Sequence, residues 1–101
     1  MIEAIITLID VEAKFPLGQV VSTPGALRAF EAAGTEPTEF LKRHMVGDWG
    51  EVGSKDKKAN DADLKDGGRL LSVYTLKTGV KIWIITEADR SATTFLLPEE
   101  Y

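Results

Sequence analysis

The sequence has no cysteine and only one histidine, His44, among its 101 residues. The lack of cysteine excludes a disulfide scaffold, thiol catalysis and a thiolate metal site. A Ser-His-Asp site would have to use His44, and a transition-metal site would consist mainly of carboxylates. The Gly-x-Ser-x-Gly and His-Glu-x-x-His motifs are also missing, as is a phosphate-binding glycine loop. We therefore expect no cofactor and no metal, and we favour a protein without enzymatic activity.

The sequence has fewer positive than negative residues. It contains 12 lysines and arginines and 16 aspartates and glutamates, so its net charge is -4. Nonspecific binding to nucleic acid relies on clustered lysine and arginine. Here Lys55, Lys57 and Lys58 are interleaved with Asp56 and Asp61, a pattern typical of a solvated surface. The sequence therefore does not favour a nucleic-acid partner.

Long apolar runs are also missing. The apolar N-terminus, residues 1–10, contains Glu3, has no basic leader region and is too short to span a bilayer. We expect a cytoplasmic protein with no membrane contact. Apolar residues make up 44% and charged residues 28%, as in ordinary globular proteins, so we predict a single domain over residues 1–101.

The local signals that begin and end helices are clear in the first half of the chain. Thr23 can accept a backbone N–H at a helix start, and Pro24 suits the first helical position. Gly34 is a typical helix stop, so the sequence predicts a helix over residues 24–33.

Two further helices are predicted after this one. Thr35-Glu-Pro-Thr38 opens a short helix that extends to about His44 and directs Phe40 and Leu41 inward. A third helix, capped by Ser54, extends to about residue 65 and has few apolar residues to bury, so we expect it at the surface.

From Arg69 onwards the apolar pattern alternates with the period of a strand. Short connections around Gly79 and over residues 88–91 force neighbouring strands to be antiparallel. The predicted strands cover residues 69–77, 80–87 and 92–97. The predicted fold is therefore α+β, with two or three short helices packed on a C-terminal three-stranded antiparallel meander. The middle strand has large apolar groups on both faces, so the second face should be covered by the N-terminal segment or by a partner.

The N-terminal segment allows two interpretations. Ile2, Ile5, Ile6 and Ile9 have the spacing of an amphipathic helix, whereas their β-branched side chains favour a strand. We favour a strand that is added to the meander. Residues 15–22 are predicted to form a loop followed by a short extended segment.

Two residues near the end of the second helix are candidates for function. His44 is interpreted as a helix C-terminal residue that suits the helix dipole, and the alternative is acid–base catalysis with Asp48 as the orienting carboxylate. Trp49 lies in the Gly-Asp-Trp-Gly motif of residues 47–50 and is interpreted as a core plug, with an exposed binding anchor as the alternative. Trp83 on the middle strand is expected in the core.

The turn over residues 86–91 supplies the remaining candidates, Glu87, Asp89 and Arg90. Together with Asp48 and Trp49 they form a candidate binding surface. The three carboxylates could also hold Mg²⁺ or Ca²⁺. We favour the simpler interpretation that Asp89 hydrogen-bonds the turn backbone and that Arg90 pairs with Glu87 or Asp89.

Four sequence segments carry a resemblance to a known group: Phe15–Leu27, Arg43–Gly50, Gly68–Leu76 and Trp83–Ser91. Together they resemble a group of short, uncharacterised bacterial proteins found on plasmids and integrated elements, which are labelled plasmid-related. The resemblance covers residues 15–101. It implies a role in a mobile genetic element and no particular activity.

Two classes of function remain open. The favoured hypothesis is an accessory module of a mobile element that binds a protein partner through the Trp49 loop and the meander edge, with a homodimer through an exposed sheet edge as a variant. The alternative is a small RNA-cleaving toxin-like enzyme, for which His44, Arg69, Lys81 and Arg90 are the candidate residues. A DNA mimic that inhibits a nuclease is a third possibility, which the modest net charge does not favour.

Overall fold

The computed structural model describes residues 13–101 of the chain. It contains four strands, three α-helices and a final 3-10 turn. In chain order these are β1 (Gln19–Ser22), α1 (Pro24–Ala33), α2 (Pro37–Met45), α3 (Ser54–Asp66), β2 (Leu70–Thr75), β3 (Lys81–Thr86), β4 (Ala92–Leu96) and the 3-10 helix Pro98–Glu100. The protein thus has the predicted α+β class.

The four strands form one mixed sheet in the order β1-β4-β3-β2. The pairs β2–β3 and β3–β4 are antiparallel, as predicted for the meander, whereas β1 pairs with β4 in parallel. The prediction of a three-stranded sheet is therefore incomplete, because the extended segment of residues 19–22 forms a fourth strand. The strand predicted within residues 1–10 lies outside the described residues.

The first helix begins and ends where its caps predict. The Thr23 side chain accepts a hydrogen bond from the amide of Ala26 at 3.1 Å, and Pro24 occupies the first turn. Gly34 ends α1 in the left-handed conformation, with φ of 63°. The third helix differs from its prediction at one end, because Gly53 occupies the cap position and Ser54 is the first helical residue, without a side-chain cap.

The core lies between the first two helices and one face of the sheet. The ring of Phe30 in α1 packs on Phe95 of the sheet at 5.5 Å between centroids, and that of Phe40 in α2 packs on Tyr74 at 5.0 Å. The two helix rings lie 6.1 Å apart. The buried members of this cluster are Ala26, Phe30, Ala33, Phe40, Leu41, Tyr74, Leu76, Ile82, Ile84 and Phe95. Burial of this many large apolar groups is the main stabilising contribution.

The other face of the sheet is less covered. Trp83 on β3 projects from this face and is only partly buried, so the expectation that it belongs to the core is wrong. The C-terminal Tyr101 packs against it with ring centroids 5.5 Å apart. The prediction that one face of the middle strand packs on the helices is confirmed, and the N-terminal cover proposed for the other face lies outside the described residues.

Candidate functional site

Trp49 is buried, with 3% of its surface exposed. Its indole stacks on Phe15 at 6.2 Å and meets the edge of His44 at 5.7 Å, and its Nε1–H donates to Asp61 Oδ1 at 3.0 Å. The favoured interpretation of Trp49 as a core plug is confirmed. The alternative of an exposed anchor is wrong, because the indole packs against Phe15 and His44 and is hydrogen-bonded to Asp61.

Asp48 lies beside Trp49 and binds a different partner from the one considered. Its carboxylate accepts a hydrogen bond from Arg43 Nε at 2.7 Å and one from the amide of Gly50 at 3.2 Å. The hydrogen bond from Arg43 holds the pKa of the Asp48 carboxyl below its usual value. Both side chains are about half exposed, at 45% and 46%, so this ion pair orders the loop with little net stabilisation.

Arg90 holds the turn between β3 and β4 against the end of α3. Its guanidinium donates to the carbonyl oxygens of Gly68 at 2.6 Å and Asp63 at 2.9 Å, and it lies 5.7 Å from the ring centre of Phe15. The predicted ion pairs of Arg90 with Glu87 or Asp89 are not formed, because the guanidinium uses its donors on backbone carbonyls instead. Its side chain has a structural role here.

Asp89 has the predicted turn function, since its Oδ1 accepts the amide of Ser91 at 2.9 Å. This contact, which involves both the side chain and the backbone of Ser91, lowers the pKa of Asp89. Within residues 13–101 no three side chains of the metal-binding types lie together as a metal site requires. Trp49 and Arg90 both contact Phe15. Because Trp49 is buried, it cannot form part of an exposed surface with the other four candidates.

His44 is fully buried and lies in a chain of hydrogen bonds that the sequence did not reveal. Its Nδ1 is 2.6 Å from Ser72 Oγ and its Nε2 is 2.8 Å from Thr86 Oγ1. Thr86 is in turn 2.8 Å from Thr93 Oγ1, which donates to the carbonyl oxygen of Leu17 at 2.7 Å. The network thus joins α2 to β2, β3 and β4 and to the segment that precedes β1.

The carbonyl at the end of this network determines the tautomer of His44. A carbonyl oxygen only accepts, so Thr93 uses its hydrogen there and receives the hydrogen of Thr86. Thr86 then accepts from Nε2–H of His44, which leaves Nδ1 to accept from Ser72. The neutral imidazole is satisfied at both nitrogens, and burial lowers its pKa to about 3.

The residues proposed for RNA cleavage serve separate structural contacts. His44 lies in the core, Arg90 binds carbonyl oxygens, Arg69 donates to the Tyr101 hydroxyl, and Lys81 lies 3.7 Å from Glu51. His44 is the only histidine in the sequence, and none of its surface is exposed.

The two edges of the sheet differ in whether their outward backbone groups have hydrogen-bond partners. At the β2 edge the side chain of Asn60 donates to Leu71 O at 2.7 Å and accepts from Leu71 N at 3.1 Å. Further along, Val73 N donates to Trp49 O at 3.0 Å, and Val73 O accepts from Glu51 N at 2.7 Å. The outward backbone groups of Leu71 and Val73 are therefore all paired, and this part of the edge is closed to another strand.

The β1 edge is open within residues 13–101. The amide of Gln19 donates to Ser91 O, just before β4, and that of Thr23 donates to Phe95 O on β4, at 3.0 Å each. Hydrogen bonding alternates along a strand. The backbone N–H and C=O groups of Val20 and Ser22 consequently point away from β4, where no described strand follows. Val20 is 42% and Val21 39% exposed.

Neither charge nor proline protects this edge. Residues 15–27, from Phe15 to Leu27, contain no charged side chain, although charged residues make up 28% of the whole chain. Proteins usually protect an exposed edge strand with lysine, proline or a bulge. The four residues of β1 include neither lysine nor proline. The open edge is the feature of the described structure best suited to bind another chain.

A shallow groove of about 440 Å³ lies between the end of α1 and the start of α2. Leu27 and Phe30 form its apolar wall, and Glu31 and Glu36 supply acidic groups. Leu27 is 49% exposed there.

Comparison with known proteins adds no relative: no family model, curated protein or solved structure matches the chain. Among residues 13–101, none of the helices combines the length and apolar character that crossing a membrane requires.

Proposed function

We propose that this protein is a small protein-interaction module that binds another protein chain by strand addition at the outer edge of β1. The observation that carries the proposal is the contrast between the two sheet edges. Asn60 and the Trp49–Glu51 segment pair every outward group of Leu71 and Val73 on β2, whereas Val20 and Ser22 on β1 present free backbone groups within the described residues.

Strand addition requires little from the side chains of the receiving strand. Backbone hydrogen bonds supply the affinity, and side chains that alternate along the strand supply the specificity. The partly exposed Val20 and Val21 provide an apolar contact on each face of the sheet. Because the neighbouring positions carry no charge, the β1 edge loses no ionic hydration when a partner strand docks.

A biological role in a mobile genetic element follows only from the resemblance of residues 15–101 to plasmid-related proteins, and we propose it on that basis. The module would act as an accessory protein in the cytoplasm. Binding, with no reaction catalysed, is consistent with the structural roles of His44 and Arg90 described above.

Site-specific photo-crosslinking in the native host tests the proposal. A benzophenone amino acid replaces Val20 in one variant and Val80 in a control, since Val80 is similarly exposed, at 39%, but lies in the turn between β2 and β3. We expect defined crosslinked protein products from position 20 and none from position 80. Equal products at both positions, or none at position 20, would contradict a binding function at β1.

A further inference from the structure

The partner for the β1 edge is, we propose, a second copy of the same chain, which pairs with it as an antiparallel strand. The two-fold axis passes beside Val21, and the two four-stranded sheets join into one sheet of eight strands. This inference rests on the proposed function of the β1 edge and names the partner that occupies it.

The backbone of β1 is complementary to itself in this register. The outward groups of Val20 meet those of the partner subunit's Ser22, and Ser22 meets the partner subunit's Val20, so four N–H···O=C bonds form. Val21 then faces the partner subunit's Val21 as a non-hydrogen-bonded pair, with Cα atoms about 4.5 Å apart. Close pairs of β-branched side chains in this position stabilise antiparallel sheets.

Charge limits where a second copy can dock, and this edge is a place where charge does not oppose docking. Each chain carries a net charge of -4, so two copies repel one another at most approaches. The edge lies within the uncharged run of residues 15–27, and Gln19 lies opposite the partner subunit's Thr23 in this register. No like charges are therefore brought together across the strand pair, as expected for the centre of an interface. A strongly basic partner peptide would find no acidic side chain on β1 to bind.

The absence of cysteine allows a direct crosslinking test. Val21→Cys introduces a single thiol in each chain. The two Cα atoms at position 21 would be about 4.5 Å apart across the axis, within the Cα separation of about 4.4–6.8 Å that a disulfide spans. Val80→Cys is the matched control, because Val80 has the same exposed fraction as Val21, 39%. Under mild oxidation of the purified full chain, we expect rapid formation of a covalent dimer by Val21→Cys and only slow, collision-limited formation by Val80→Cys.

Sedimentation velocity of the unmodified protein and of charge variants supplies the second measurement. The unmodified chain should form a dimer over a series from low micromolar to submillimolar concentration. Val21→Lys places two positive charges at the axis, so we expect its dissociation constant to rise about tenfold or more, while Val80→Lys dimerises as the unmodified chain does. Far-ultraviolet circular dichroism verifies that each variant is folded.

The outcomes separate this inference from the proposed function. Monomers at every concentration, or equal crosslinking of the two cysteine variants, would overturn the second copy as partner. If the benzophenone at position 20 then captures a different protein in the host, the proposed function stands and only the identity of its partner changes. If it captures nothing, both fail.

Discussion

The side-chain amide of Asn60 pairs with both backbone groups of Leu71, donating from Nδ2 at 2.7 Å and accepting at Oδ1 at 3.1 Å. Asn60 is the one buried residue of α3, and it takes the place that a neighbouring strand would occupy. The helix is thereby held along the sheet although it has few apolar residues to bury. The same contact closes the β2 edge, which directs any strand addition to β1.

Replacement of this amide should both destabilise the fold and open the closed edge. Asn60→Ala leaves the Leu71 N–H and C=O without their partner, so we expect a loss of about 1–3 kcal/mol in the free energy of unfolding. Lys58→Ala, at an exposed position of the same helix, is the control and should change stability by less than about 0.5 kcal/mol. Urea unfolding measures the free energy of unfolding of both variants. Equal values for the two would contradict the role of Asn60.

The buried His44 should make stability depend on pH in a range where few other groups titrate. Its folded pKa of about 3 lies below its ordinary value of 6.5, so the unfolded chain binds the proton first. The stability that the neutral ring contributes is therefore complete above pH 6.5 and is lost as pH falls towards 3. Between these limits the free energy of unfolding should fall by about 1.4 kcal/mol per pH unit.

Urea unfolding at several pH values between 6.5 and 4.5 measures this slope. The hydrogen-bonded carboxyls of Asp48, Asp89 and Glu100 have lowered pKa values, so they reduce stability only at lower pH. His44→Gln removes the titrating ring and should flatten the profile in this window. A flat profile for the unmodified chain would show that His44 is protonated without cost and would refute its burial in a neutral network.

The hydroxyl of Thr86 is expected to stabilise the fold, because it accepts a hydrogen bond from Nε2–H of His44 within the core. Thr86→Val retains the shape of the side chain but leaves that N–H unpaired, and we expect a loss of about 1–3 kcal/mol. Thr94→Val, at a partly buried position on the other face of β4, tests the same chemical change outside the network and should be nearly neutral. Thermal unfolding of the two variants distinguishes them, and a neutral Thr86→Val would contradict the network.

Gly50 should not tolerate a side chain. Its φ is +71°, and a Cβ at this position would overlap the carbonyl oxygen of Val73. Gly50→Ala is therefore expected to cost more than about 2 kcal/mol. Gly53→Ala is the matched control, because a Cβ there meets nothing within 4 Å. Chemical denaturation should separate the variants clearly, and a similar small effect of both changes would count against the described path of residues 49–51.

Features that depend on neighbouring residues were predictable from the sequence. The bounds of α1 follow from Thr23, Pro24 and Gly34, whose capping chemistry acts within a few residues, and the meander follows from alternation and short turns. The pairing of β1 with β4 was not predictable, because a four-residue strand carries no pattern that specifies its partner. The same holds for Asn60, whose contact with Leu71 crosses between elements.

The candidate site was less predictable than the fold for a related reason. Trp49 was correctly interpreted as a core residue from its size and its flanking glycines. The partners of His44, namely Ser72 and Thr86, are distant in sequence, and small hydroxyl residues in strands have no signature of a buried network. Arg90 was expected to form ion pairs, whereas its actual acceptors are backbone carbonyls, which no residue type reveals.

The most direct test of the central claim is amide hydrogen exchange of the purified chain, resolved by residue with nuclear magnetic resonance. The claim is that β1 pairs inward through Val21 and is free to pair outward through Val20 and Ser22. At high dilution, the amide of Val21 should exchange slowly, while those of Val20 and Ser22 exchange rapidly and become protected as the second strand binds. Slow exchange of the Val20 amide at a dilution where sedimentation shows only monomer would mean that the edge is already paired within one chain and would contradict the account.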